Sequence, residues 1–134
     1  MAWVAQLGST LLIPSGGCDH LHIICSDPMN FPGRSPGSCL LINVSSIVPK
    51  CDRTVTLSKG DHPFICHDSF VFYRKAYTEE ANTLQLHVAN GVYKGHQPAD
   101  RALVKRIVAS MDASDFTSGE MLRISRQVWA GTNW

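Results

Sequence analysis

The spacing of turn-forming residues limits the fold of this chain more than any other feature. Through the first three-quarters, short segments rich in Ile, Leu, Val, Phe or Thr alternate with Gly, Pro, Ser and Asp, which predicts strands at residues 10–14, 20–25, 39–44, 54–57, 69–73 and 83–88. "PSGG" precedes the second strand, and "SDPMNFPGRSPGS", with three prolines and two glycines, predicts a long exposed loop before the third. In "TLQLHV", Leu84, Leu86 and Val88 alternate with Thr83, Gln85 and His87, the pattern of a strand with water on one face.

After "NGVYKGHQP" the period changes. Leu103, Val104, Ile107, Val108 and Met111 recur at helical spacing, and Pro98 suits a first helical turn, where a missing amide donor costs nothing. A second helix is expected from Thr117, which has capping-box spacing to Glu120, with Phe116 and Met121 placed as a hydrophobic staple. Strands followed by helices, without alternating βαβ units, point to an α+β, mainly β fold: a small antiparallel barrel with two C-terminal helices packed outside it. One domain is expected over residues 1–134, mostly strands to residue 95 and helical over 96–130.

At 134 residues such a domain buries roughly two-thirds of its unfolded surface, enough for a self-sufficient core. Twelve basic and eleven acidic side chains leave a formal charge of +1, so any polyanion site must be local. No apolar run reaches the roughly 18 residues needed to span a bilayer, and "MAWVAQLGST" lacks the pattern of a signal peptide, so a cytoplasmic protein that does not engage membranes is expected. Five cysteines cannot all pair within one chain; in that compartment they are expected as thiols.

Histidine and cysteine cluster in "CDHLHIIC" and "HPFICH". His20 and His22 share one side of a strand, and His62, Cys66 and His67 complete the ingredients of a tetrahedral metal site, although their spacing matches no zinc-finger pattern. A zinc-stabilised domain is therefore one reading. There is no GxSxG elbow and no P-loop. Phe70, Phe72, Tyr73 and Tyr77 lie beside Arg74 and Lys75, combining stacking surfaces with positive charge, as single-stranded nucleic acid requires. The same stretch suits a non-catalytic protein- or nucleic-acid-binding module with an open sheet edge.

Three segments resemble the PemK/MazF family of toxin endoribonucleases: "GGCDHLHIICS", "CLLINVSS" and "HPFICHDSFVFY", within residues 10–77. The resemblance implies an SH3-like barrel acting as a homodimer, neutralised by an antitoxin protein. It also implies cleavage of single-stranded RNA with neither metal nor cofactor, in which the 2′-hydroxyl attacks the adjacent phosphorus while the protein moves protons and stabilises phosphoryl charge. Where the family carries a catalytic arginine this chain has His20, and Ser45 or Ser46 stands in the region of the family's Thr/Ser. Carried onto this sequence, the site comprises His20, His62 and His67 for acid–base work, with His22 also available. Ser46 and Ser69 would supply hydrogen bonds, Arg74 the phosphate contact, and Tyr73, Tyr77, His22 and Lys75 the RNA-binding surface.

Overall fold

The computed structural model describes residues 2–134. Its elements in chain order are β1 (Thr10–Ser15), β2 (Cys18–Ile24), β3 (Ser38–Ser46), β4 (Thr56–Leu57), β5 (Ser69–Val71), β6 (Tyr77–Glu80), α1 (Ala81–Ala89), β7 (Lys94–His96), α2 (Arg101–Ala109) and α3 (Gly119–Gly131). The seven strands run antiparallel in the order β4-β5-β3-β2-β1-β7, with β6 also paired to β3. The fold is thus α+β with a dominant sheet.

Gly16 and Gly17 both adopt positive φ, 61° and 86°, and form the two-residue turn that sets Ser15 opposite Cys18 in the β1–β2 hairpin. β3 is the hub. One edge pairs residues 41–43 with β2; the other pairs residues 38–41 with β6 and residues 44–46 with β5.

Period-2 alternation divides the sheet into two faces. Leu12, Leu21, Ile23, Leu40, Ile42 and Val44 form the main core with Leu103, Val104 and Ile107 of α2 and Met121, Ile124 and Val128 of α3. The alternate residues Leu11, Ile24, Cys39 and Leu41 pack against Ala81 and Leu84 of α1. α1 covers only part of that second face. Farther along, Ile24 gives way to His22 and His20, and Leu41 to Asn43 and Ser45.

Several sequence expectations need correction. The sheet is an open path rather than a closed barrel: β4 pairs only with β5 and β7 only with β1, so no ladder joins the two ends. Residues 83–88 are helical, within α1, so three α-helices are present among the described residues rather than two. The helix buries Leu84 (1% exposed) and leaves Leu86 in water (58%), whereas a strand would have buried both on one face. Two strands, β6 and β7, arise where none was expected. Pro98 precedes α2, whose N-cap is Asp100. α3 begins one residue late for the expected box: Ser118 is the N-cap, accepting from the Met121 amide, while the Thr117 hydroxyl donates to Met111 O at 2.7 Å. Phe116 lies exposed beneath Arg74 instead of closing a staple. The proline-rich loop is also tied down, for Phe31 is buried in the main core and Gln127 of α3 donates to Asn30 O at 3.0 Å.

Candidate functional site

Where α1 leaves the second face open, polar side chains of β2 and β3 stand beside apolar ones, and the site continues past the end of the sheet to Val44 and Ser46 of the first face. Three adjoining depressions share Ser45 as their common wall, at the end of β3 where the strand passes from β2 to β5. The first, of about 320 Å³, lies between β2 and the segment leading into β5 and includes His20, Ser46 and His67. The second, of about 410 Å³, lies over β1–β2–β3 and includes His20, His22, Asn43, Lys75 and Tyr77. The third, of about 310 Å³, includes Lys50, Phe72, Arg74 and Phe116.

In the first depression the two imidazoles are held differently. His20 Nε2 lies 3.2 Å from Ser15 O and 3.6 Å from Cys18 Sγ; with Nε2–H donating to the carbonyl, Nδ1 is left as a free acceptor. His67 Nε2 lies 2.7 Å from Ser46 Oγ, and its Nδ1 lies 3.3 Å from Cys66 Sγ. Two histidines and a hydroxyl from separate segments thus line one cavity. Ser69, buried just behind, donates its hydroxyl to His67 O at 3.0 Å and so fixes the backbone that carries the imidazole.

The floor of the second depression carries a tyrosine–histidine pair. Tyr77 Oη sits 2.8 Å from His22 Nδ1, with the rings edge to face at 5.7 Å. Burial, and then the neighbouring His20, lowers the His22 pKa to about 4, so this imidazole is neutral at pH 7. Burial raises the Tyr77 pKa, with Tyr93 and Glu79 adding to the effect, and the hydroxyl keeps its proton to donate to His22. Lys75 Nζ lies 4.9 Å from the centre of the Phe72 ring at the rim. In the third depression Arg74 stacks on Phe116, its guanidinium carbon 4.6 Å from the ring centre.

Two expected site residues lie elsewhere. Tyr73 is fully buried (0% exposed), and its hydroxyl donates to Ile107 O at 2.6 Å, so it offers no stacking surface. His62 is also buried (3% exposed): Nε2 bonds Gln97 O at 2.7 Å, and Nδ1 accepts the Phe64 amide at 3.1 Å. Desolvation lowers its pKa against the pull of the Gln97 carbonyl, with His96 also lowering it. With Thr10 Oγ1 of β1 also 3.3 Å from Nε2, His62 ties the segment before β5 to β1 and to the strand end after β7.

Among the described residues no group of three or more His, Cys, Asp or Glu side chains is arranged to hold a metal ion. Cys25 and Cys39 are buried, and burial pushes both thiols up to about 12, so they pack as small hydrophobes. No described helix is long and apolar enough to cross a membrane.

Sequence reasoning missed Asn43 as a site residue, whereas Phe72, read there as one of several stacking surfaces, does line the second and third depressions. The signal for Asn43 was present: in "CLLINVSS" the positions alternate with Leu40, Ile42 and Val44, and Asn43 and Ser45 break an otherwise apolar second face. No family model, curated protein or solved structure matches the chain.

Proposed function

We propose that this chain cleaves single-stranded RNA without a metal ion, in the groove that runs past Ser45, and that it is a distant PemK/MazF-like enzyme whose open sheet derives from an SH3-like barrel. The supporting observation is the shared cavity of His20, Ser46 and His67, continuous with a depression that carries a lysine and aromatic groups.

Cleavage needs a base for the 2′-hydroxyl proton, an acid for the leaving 5′-oxygen and donors for the phosphoryl oxygens. The free Nδ1 of His20 is the base, and the 2′-oxygen forms the new bond to phosphorus as the P–O5′ bond breaks. His67, as the general acid, delivers a proton to the 5′-oxygen, and Ser46 donates to a phosphoryl oxygen. Products are a 2′,3′-cyclic phosphate and a 5′-hydroxyl. Lys75 and Arg74 hold flanking phosphates, and Tyr77 backs the base-binding part of the groove. Homodimerisation and a neutralising antitoxin that fills the groove belong to the same proposal.

The test is cleavage of unstructured RNA in EDTA. His20→Ala and His67→Ala should each lower the rate by about 10²–10⁴-fold, the usual worth of a positioned acid or base. Full activity in the double variant, or no cleavage of any single-stranded RNA by the wild-type protein, would overturn it. RNA binding without cleavage would favour a non-catalytic binding module.

A further inference from the structure

Asn43 occupies an unusual position. It lies on the central strand with only 9% of its surface exposed, and its backbone carbonyl accepts the Phe72 amide at 2.9 Å. Its carboxamide makes no hydrogen bond to protein among the described residues, and its polar atoms are open to the 410 Å³ depression that it lines. A carboxamide held on a central strand, without a protein partner and facing an open cavity, can exchange water for hydrogen bonds to a ligand.

The neighbouring groups define that ligand. With Tyr77 O–H donating to His22 Nδ1, the neutral imidazole has its Nε2–H to offer. The floor groups Asn43, His22, Tyr77 and Ser45 are uncharged polar ones, the flank includes Ile13 and Phe72, and the cation is Lys75. The volume falls in the range of small-ligand sites, about 300–1,000 Å³. An uncharged planar group with adjacent donor and acceptor atoms, joined to an anion, fits this distribution.

We propose that this depression is a specificity subsite that holds one unpaired nucleobase, with the Asn43 carboxamide reading its hydrogen-bonding edge. The inference rests on RNA being the ligand of the groove. A carboxamide pairs with a base through two parallel hydrogen bonds, one donated and one accepted, and a base of the wrong pattern leaves both unmade. Phe72 supplies an aromatic surface beside the base, and Lys75 meets the phosphate that follows.

The test uses 2′-O-methyl homopolymers of A, C, G and U, in which the attacking hydroxyl is blocked, so that binding is read apart from cleavage. Wild-type protein should bind one of them about tenfold or more tighter than the weakest. Asn43→Ala should reduce that ratio to within about twofold. Asn43→Asp, close in shape but without the amide donor, should reduce it or change the preferred base; melting curves establish that both variants fold. Equal binding of all four by the wild type, or an unchanged ratio in both variants, overturns the subsite, and if RNA is still cleaved it does so without touching the proposed activity. Failure to bind any homopolymer together with failure to cleave RNA overturns both.

Discussion

Asp52 shows how much one side chain can hold. It sits nearly buried in the irregular segment after β3, where its carboxylate accepts from Ser114 Oγ at 2.5 Å, Thr54 Oγ1 at 2.6 Å and the Thr54 amide at 3.0 Å. Burial alone would raise its pKa, but the three donors outweigh burial and leave it below the ordinary carboxylate value. A carboxyl depressed by folding contributes stability in full above its unfolded pKa, near 3.9, and loses it as the pH falls through the lower folded value. Asp52→Asn should therefore cost about 1–3 kcal/mol at pH 7, measured by urea unfolding, and the gap from wild type should narrow on acidification below about pH 4. At this scale the sequence had limits. Tyr73 and Tyr77 are four residues apart and of one type, yet the first is core and the second lines the groove, because a 3-10 helix over Tyr73–Lys75 turns the chain between them. Composition carries no sign of that turn.

Between elements, the same tyrosine joins the turn after β5 to the C-terminal half of α2. The last carbonyls of a helix lack amide partners within it, and the Tyr73 hydroxyl satisfies the one on Ile107 in the interior of the molecule. Tyr73→Phe should leave the fold intact while lowering stability by about 1–2 kcal/mol in chemical denaturation, because a buried acceptor loses its donor with almost no change in shape. An unchanged midpoint would show that water reaches the carbonyl. α1 shows why element type was only partly readable. Leu84, Leu86 and Val88 fit a period of 2, while Ala81, Leu84 and Val88 fit 3.6, and six residues do not separate the two. Tertiary packing decided it: Ala81 and Leu84 bury against Leu11 and Leu41. α2 and α3 were legible because their apolar positions recur over longer stretches, with Val104, Ile107 and Val108 of one and Met121, Ile124 and Val128 of the other on buried faces.

For the molecule as a whole, the candidate site depends on contacts that no local pattern encodes. His20 and Ser46 come from strands that flank a long loop, and His67 from a segment 21 residues beyond Ser46. That β2 and β3 were strands could be read from their Ile, Leu and Val content between turn residues; that the segment before β5 would fold back over their ends could not. His62 and His67 looked equivalent in sequence and were separated only by that folding, one drawn under Gln97 and the other left on Ser46.

β3 has partners along both edges, β2 on one and then β6 and β5 in turn on the other. A strand enclosed in this way cannot fray; its amides meet solvent only when the whole domain opens. In native-state deuterium labelling, Leu40, Ile42 and Val44 should be among the last amides to exchange, while Lys94 and Gly95 on the terminal strand β7 exchange through local opening. Because Asn43 and Ser45 are threaded on that slow strand, the groove has a floor that stays in place while its rims move.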